Sequence, residues 1–271
     1  MRYIFLVLVF FNAIKIKAQI NQIDHIYAVA PIPDKSFFFF TKELGLPVVW
    51  DSKVNGQYAS FSVWLGNVYL EFVSEDSTKN AQFEGIGLEP LQSIKDILPV
   101  LDENKVSHRN PEEGIGWTAI DLLNIFPPEI DFYIIDYNNK KRTDLNRSVA
   151  NDSLENIKGG PLGVMFLKEI VIASNNFSTC KAALNRIPGI KTSGDDLFSF
   201  NKGPSIKLVN YTNDATQSSD TGIIKIVIRV RSVDTAMHYL GSKKILGKSS
   251  KDSVYIDPAS VNGLLVELVD K

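Results

Sequence analysis

Alternating apolar and polar positions organise the first part of the chain. The period of two predicts β-strands in INQIDHIYAVA (20–30) and in QYASFSVWLGNVYLEFV (57–73). Between them, residues 34–44 predict a helix, with Asp34 or Ser36 available as its N-cap and Gly45 as its stop. The stretch therefore predicts a strand, a helix and then further strands.

The same alternation assigns side chains to the two faces of the predicted sheet. One face of the first strand carries Ile23, His25, Tyr27 and Val29, and the other carries Asp24, Ile26 and Ala28. On the last strand, Glu71 shares a face with Tyr69 and Val73. If the helix covers the opposite face, His25 and Glu71 both point into the concave side of the sheet. A histidine and a carboxylate that converge there could hold a divalent metal ion.

The order of these elements recurs three more times. FEGIGLEP (83–90) opens a second unit, with a helix in 93–106 and strands in GWTAIDLL (116–123) and IDFYIIDY (130–137). A third unit begins at MFLKEIVIAS (165–174), and a fourth runs from GIIKIVIRV (222–230) to LLVELV (264–269). LLVELV matches VYLEFV (68–73) and puts Glu267 in the place of Glu71, while Glu169 takes the place of His25. Self-similarity at roughly equal intervals indicates an internal repeat.

The domain organisation follows from the repeat and from one polar segment. Residues 138–161 are polar and charged and end in glycines, which predicts a linker or long loop, although part of it could be helical. We expect domains at 19–145 and 163–271, with 146–162 as the linker. The predicted fold class is α+β, with four βαβββ modules that form two cupped mixed-sheet domains and carry their helices on the outer face.

The first unit resembles one module of the vicinal oxygen chelate superfamily, which includes glyoxalases, extradiol dioxygenases and bleomycin resistance proteins. The resemblance is carried by DHI (24–26), ELGLPV (43–48) and LGNVYLEF (65–72), three short motifs in the expected order and spacing. It implies that His25 and Glu71 are metal ligands, and that the metal acts as a Lewis acid in an isomerase, lyase or dioxygenase reaction. The alternative is that the cup has lost its metal and binds or sequesters a small molecule.

A complete metal site in that superfamily takes ligands from two modules, and here this chain departs from the pattern. Near the expected ligand positions, the second module has Gly87 or Leu88, and Tyr133, Ile134 or Asp136. The third and fourth modules offer no histidine at these positions. An unidentified divalent metal ion bound by His25, Glu71 and Glu267 would complete the site, but it requires the first and fourth modules to pair.

The predicted cup also has candidate substrate-binding residues. By their facing and spacing these are Tyr27, Tyr58, Ser60, Ser62, Trp64 and Tyr69. Their mixture of aromatic and hydroxyl groups suits a small organic ligand. The alternative is that some of them belong to the exposed face of a strand.

Residues 1–18 have the pattern of a secretory signal peptide. Arg2 precedes the apolar run YIFLVLVFFNAI, which is too short for an ordinary transmembrane helix, and Ala18 offers a cleavage site before Gln19. The alternative is an uncleaved N-terminal anchor. The single cysteine, Cys180, cannot form an intrachain disulfide, which fits a bacterial envelope better than a small stapled extracellular scaffold. We therefore expect a secreted or periplasmic protein that is free of the membrane after cleavage.

Composition and motifs exclude several functional classes. The chain has 29 basic and 31 acidic residues, which argues against an electrostatic nucleic-acid footprint. It contains no G-x-S-x-G elbow, P-loop, G-x-G-x-x-G or C-x-x-C motif. His108 in a predicted loop and His238 on a predicted helix are expected to be solvated or structural. The expected partner is a small molecule, and the chain could form a homo-oligomer.

Overall fold

The computed structural model describes residues 19–54, 57–75, 78–211 and 221–271, and the predicted signal segment 1–18 lies outside these residues. Within these ranges the chain forms sixteen strands and five α-helices. None of these helices combines the length and the apolar character that crossing a membrane requires.

The first two modules each follow the order of one strand, one helix and three strands. The first module comprises β1 (Ile20–Ala30), α1 (Pro33–Phe38), a π-helical turn (Phe39–Glu43), β2 (Val48–Val54), β3 (Gln57–Trp64) and β4 (Tyr69–Ser74). The second module comprises β5 (Gln82–Pro90), α2 (Ile94–Glu103), β6 (Glu112–Gly114), β7 (Trp117–Asp121) and β8 (Asp131–Tyr137).

The last two modules repeat this order after an additional helix, α3 (Lys140–Asn156). The third module comprises β9 (Val164–Ser174), α4 (Phe177–Leu184), β10 (Lys191–Ser193), β11 (Leu197–Ser199) and β12 (Ser205–Asn210). The fourth module comprises β13 (Gly222–Val230), α5 (Val233–Lys243), β14 (Leu246–Ser249), β15 (Ser253–Ile256), a 3-10 turn (Pro258–Val261) and β16 (Val266–Val269).

Strand pairing shows which modules belong together. In every module the first and last strands pair in parallel, as β1 does with β4 and β13 with β16. The opening strands of neighbouring modules pair antiparallel, β1 with β5 and β9 with β13. The first two modules therefore form one cup (β1–β8, the first cup), and the last two form another (β9–β16, the second cup). Residues Ile223 and Phe83 join β13 to β5, so all the strands belong to one open mixed sheet.

The predicted α+β fold of four βαβββ modules is confirmed, including the outer position of the first helix. α1 contacts β1, β3 and β4, and Phe40 in the π-helical turn packs on Phe72 of β4 with 5.3 Å between the ring centroids. Leu70 and Phe72 are fully buried on this side. Because side chains alternate along β4, Glu71 points to the concave side.

Most of the segment predicted as a linker, 146–162, is helical. α3 begins after Asn139, whose side chain accepts a hydrogen bond of 3.1 Å from the backbone N–H of Arg142. The helix contacts β2 and β3 and buries Ala150 and Leu154. Its other residues are largely polar, so its helical hydrophobic pattern is weak in the sequence. The division into two domains at 19–145 and 163–271 stays a prediction.

Candidate functional site

A β-bulge on β1 brings Asp24 and His25 together on the concave side of the first cup. Ile23 pairs with Leu88 and His25 with the next residue, Gly87, so Asp24 is an extra residue in the ladder. Its carboxylate Oδ2 lies 2.6 Å from Nδ1 of His25, and both side chains are buried. The strict alternation expected for β1 is therefore wrong at this point, because the bulge turns Asp24 toward His25. Ile23 lies in the hydrophobic core instead of beside His25.

The other ring nitrogen of His25 faces Glu71 and Tyr133. Nε2 hydrogen-bonds the hydroxyl of Tyr133 on β8, and it lies 3.9 Å from Oε2 of Glu71 on β4. The predicted convergence of His25 and Glu71 is therefore present in the structure. In the first module, Glu71 on the last strand pairs with Tyr27 on the first strand. In the second module, Tyr133 on the last strand pairs with Gly87 on the first strand. Tyr133 therefore corresponds to Glu71.

Two glycines of β5 make room for the side chains of β1. A Cβ atom on Gly87 would lie 2.5 Å from Cε1 of His25, and a Cβ atom on Gly85 would overlap the ring of Tyr27. The Tyr27 hydroxyl passes over Gly85 and donates a hydrogen bond to Asp131 on β8. The absence of a side chain at Gly85 and Gly87 therefore leaves room for the rings of Tyr27 and His25. It also means that the second module supplies no ligand side chain at these two positions.

Arg147 on helix α3 extends its guanidinium group into the first cup, with 13% of the side chain exposed. A single guanidinium nitrogen of Arg147 bonds Oδ1 of Asp24 and, at 2.6 Å, Oε2 of Glu89. The guanidinium carbon lies 5.7 Å from the ring centroid of Tyr69. On its outer side, Arg147 reaches a cleft of about 600 Å³ that is also lined by Trp64, Ser148 and Lys202.

The buried groups shift one another's pKa values. Burial raises the pKa of Asp24, but the hydrogen bond and charge of His25 and the charge of Arg147 outweigh it, and the net shift is downward. Burial lowers the pKa of His25, yet Asp24 and Glu71 together raise it above 6.5. Burial raises the pKa of Glu71, and His25 opposes this only in part. The arrangement therefore favours a charged Asp24–His25 pair.

The predicted substrate-binding residues have different environments. Tyr27 and Ser60 lie on the concave side and are partly exposed, and the Ser60 hydroxyl accepts a 3.2 Å hydrogen bond from Trp50. Ser62, Trp64 and Tyr69 are buried, so packing rather than an open pocket surrounds most of their surface. The Trp64 indole donates a 2.7 Å hydrogen bond to Asn151 of α3, which covers this end of the cup. The side chain of Tyr58 lies outside the described residues.

Glu267 belongs to the second cup and not to a site with His25. It lies on β16, and its carboxylate accepts a 2.5 Å hydrogen bond from the ammonium group of Lys225 on β13. Lys225 also donates to the hydroxyl of Tyr255 at 3.0 Å. The expected ligand set of His25, Glu71 and Glu267 therefore does not converge, because the first module pairs with the second and the fourth with the third.

Three solved structures share the architecture of this chain. Homoprotocatechuate 2,3-dioxygenase from Brevibacterium fuscum, in complex with 3,4-dihydroxyphenylacetate, aligns with a TM-score of 0.61 at 10% identity over 94% of this chain and 82% of its own. The Mn(II)-bound glyoxalase from Novosphingobium aromaticivorans has a TM-score of 0.58 at 13% identity, with 93% and 83% covered. A 2,3-dioxygenase from a Pseudomonas species has a TM-score of 0.60 at 9% identity, with 93% of each chain covered.

The chain has the vicinal oxygen chelate fold. This confirms the resemblance carried by the sequence motifs of the first module. No protein-family model matches the sequence. A comparison with curated proteins gives no match either.

In the described part of the first cup, His25 and Glu71 do not have a third donor suited to a resident metal ion. Catalytic sites for divalent metals commonly use three protein ligands, whereas His25 and Glu71 are two. Tyr133 is the nearest third group, but burial and the charge of Glu71 raise the pKa of its phenol, which disfavours the phenolate. Across the described ranges, no cluster of three or more His, Cys, Asp or Glu side chains is arranged to hold a metal ion.

The site residues that the sequence did not reveal are far from Asp24 in the chain. Arg147, Glu89 and Tyr137 all bond into the Asp24 network, with the Tyr137 hydroxyl 2.8 Å from Oδ2 of Asp24. Tyr137 ends a predicted strand and gave no separate signal. For Arg147, the available signal was the spacing of Ala150 and Leu154, which places Arg147 on the same helical face.

Proposed function

We propose that the first cup binds a small polar organic molecule without a resident metal ion, and that His25 exchanges a proton with that molecule. The observation that carries this proposal is the orientation of the His25 ring. Asp24 accepts the Nδ1–H, and Nε2 faces the concave side between Tyr133 and Glu71. A histidine held in this way carries a proton on Nε2 as an imidazolium, which Asp24 stabilises, and it can donate that proton to an oxygen of the ligand and become a neutral imidazole.

The surroundings of His25 suit a ligand with several oxygen atoms. Tyr27, Ser60, Glu71 and Tyr133 are only partly buried, so their polar groups can meet a molecule that enters from solvent. Aromatic rings with a few directed polar groups are typical of small-molecule sites. The dioxygenase of the same fold that holds 3,4-dihydroxyphenylacetate makes this catechol a reasonable first probe.

One observation favours a second candidate function, a divalent-metal-dependent lyase, isomerase or dioxygenase. Metal-binding histidines commonly donate their second ring N–H to a carboxylate, as His25 does to Asp24. Such an ion would act as a Lewis acid toward the substrate. The glyoxalase with this fold is bound to Mn(II), which makes manganese the ion to test first.

Metal content and ligand binding separate the two functions. Elemental analysis and calorimetric titration with MnCl2 should show no stoichiometric metal in the purified wild type. Stoichiometric metal in the wild type that is lost in both His25→Ala and Glu71→Ala, without unfolding, would instead establish the second function. Tryptophan fluorescence during titration with 3,4-dihydroxyphenylacetate should show binding that both variants weaken. His238→Ala is the matched control, because His238 is exposed on α5.

The proposal also includes the location and assembly of the protein. A mature chain that begins near Gln19 would place it in a bacterial envelope or outside the cell, and intact-mass measurement of exported protein checks the cleavage. Protein from that compartment that still carries Met1 would contradict the proposed export. Light scattering after gel filtration would establish whether the protein is a homo-oligomer. We propose no nucleic-acid partner, because acidic residues outnumber basic ones.

A further inference from the structure

Two carboxylates are buried at the end of the first cup, and one cation lies between them. The side chain of Asp24 is 0% exposed and that of Glu89 is 6% exposed. Both bond the same terminal nitrogen of Arg147, and Asp24 also pairs with His25. Burying a carboxylate without a counter-charge is strongly unfavourable.

Apart from His25, which pairs with Asp24, the other side chains that bond these carboxylates bring no positive charge. Glu89 accepts a 2.5 Å hydrogen bond from the amide of Gln22, and Asp24 accepts one from the hydroxyl of Tyr137. Both donors are neutral. Lys140, the neighbouring cation on α3, bonds the backbone carbonyls of Pro90 and Gln92 and pairs with Asp136. Glu89 therefore takes its counter-charge from Arg147, whereas Asp24 has two cationic partners, Arg147 and His25.

Arg147 also acts on the candidate site through Asp24. One oxygen of the Asp24 carboxylate holds Arg147 and the other holds His25. Helix α3 is itself anchored beside this contact by the Trp64–Asn151 hydrogen bond. The guanidinium is thus attached to a fixed element and cannot diffuse away as an ion can.

We propose that Arg147 is a tethered counter-ion that neutralises the buried carboxylates of Asp24 and Glu89 and, through Asp24, holds His25 in place. Among the described residues of the first cup the candidate metal ligands are incomplete, and α3 supplies a positive charge next to Asp24 and Glu89 from outside the four modules. Arg147 acts as a positioning residue, since it holds the Asp24 carboxylate that orients His25. This inference rests on the proposed metal-independent function.

The test removes the charge and asks whether a free cation can replace it. Arg147→Met keeps an unbranched side chain without a charge, and Arg147→Lys keeps the charge. Thermal unfolding of each variant is followed with MnCl2, with methylguanidinium chloride and with NaCl at matched ionic strength. Arg142→Met is the control, because Arg142 lies on the same helix and is exposed. Small cations can reach the position of Arg147 through the 600 Å³ cleft.

We expect Arg147→Met to lower Tm. Methylguanidinium or Mn²⁺ should raise the Tm of this variant again, with saturation at high concentration, and NaCl should not. Arg147→Lys should keep most of the stability and respond to neither cation, as should the wild type and Arg142→Met. A folded Arg147→Met protein that responds to neither cation would show that Arg147 acts through packing alone. Stoichiometric metal in the wild type is a separate outcome and would overturn the proposed function itself.

A second variant covers the case in which Arg147→Met fails to fold. Glu89→Gln removes one of the two buried charges, so Glu89→Gln with Arg147→Met should be more stable than Arg147→Met alone and less responsive to added cations. The two substitutions must therefore be non-additive. If the double variant is no more stable than the single one, charge compensation is not the role of Arg147, and the proposal is overturned.

Discussion

His25 and Asp24 are neighbours in the chain, yet Nδ1 of His25 lies 2.6 Å from Oδ2 of Asp24 on the same side of strand β1. In a regular strand these side chains would point to opposite faces. The bulge at Asp24 removes that separation and gives the histidine a carboxylate partner without any contribution from another strand. Nε2 is consequently directed toward Glu71 and Tyr133.

The first prediction concerns the pKa of His25, which Asp24 and Glu71 raise above 6.5 against the opposing effect of burial. Because this pKa is raised on folding, its contribution to the free energy of unfolding is complete below pH 6.5 and is lost as the pH rises through the folded value. Glu71→Gln removes one of the two negative charges and should lower the pKa of His25.

Titration of the imidazole signals by NMR measures this change. The variant His25→Gln assigns the signals, since it removes those of His25. An unchanged pKa in Glu71→Gln would mean that Glu71 does not interact electrostatically with His25 at the 3.9 Å separation seen here.

The second prediction concerns Gly87, against which the His25 ring packs. A Cβ atom there would lie 2.5 Å from Cε1 and 2.9 Å from Nδ1 of His25, so Gly87→Ala should displace the ring. We expect a loss of about 1–3 kcal/mol in the free energy of unfolding, as for overpacking elsewhere, and a weaker Asp24–His25 hydrogen bond. Chemical denaturation and the His25 NMR signals measure the two effects.

Gly241 in α5 provides the control for this substitution. A Cβ atom on Gly241 would meet nothing nearer than Leu246, at an ordinary 3.9 Å. Gly241→Ala should therefore be neutral or stabilising by up to about 1 kcal/mol, because alanine favours the helix. Equal losses at Gly87 and Gly241 would contradict a specific contact with His25.

The third prediction tests the missing third ligand. Tyr133 occupies in the second module the position of Glu71 in the first, and its hydroxyl bonds Nε2 of His25. Tyr133→Glu should therefore complete a His and two-carboxylate set and bind Mn²⁺ with one-to-one stoichiometry. Calorimetry measures the binding, and Tyr133→Phe is the control that adds no ligand. A folded Tyr133→Glu protein without affinity for Mn²⁺ would show that the cup cannot be converted by this one change.

The fourth prediction concerns the second cup, where Lys225 pairs with Glu267. Burial raises the pKa of Glu267, but Lys225 outweighs it and the net shift is downward. The pair therefore stabilises the fold above pH 4.5, and this contribution is lost as the pH falls through the folded pKa of Glu267.

Lys225→Met leaves a carboxylate that is 14% exposed without its cation. We expect a loss of about 1–3 kcal/mol, below that of a fully buried pair because both side chains contact some solvent. Lys225→Met with Glu267→Leu should recover part of it. Denaturation of the single and double variants at pH 7 gives the coupling, and strict additivity would argue against the pair.

The similarity of the repeated units predicted the four modules, and alternation along the strands, with the helix on the opposite face, predicted the convergence of His25 with Glu71. The same rule failed at Asp24, because a bulge is set by pairing with β5 and leaves no mark in β1 alone. Glu267 was a candidate ligand only if the first and fourth modules paired, and it instead lies in the second cup beside Lys225. The contact of Arg147 with Asp24 and Glu89 could not be predicted, because the polar sequence of α3 has the composition of a solvated loop.

The position of α3 in the chain also affects the order in which the first cup can fold during synthesis. Arg147 is separated from Asp24 by 123 residues and from Glu89 by 58, although all three meet in one buried cluster. During synthesis, the first two modules emerge before the helix that neutralises their carboxylates. Early pairing of β1 with β5 would bury Glu89 without its cation, so we expect the first cup to close fully only after residue 147 has emerged. Contacts of such long sequence separation slow folding, and the nascent first half should remain loosely packed until α3 leaves the ribosome.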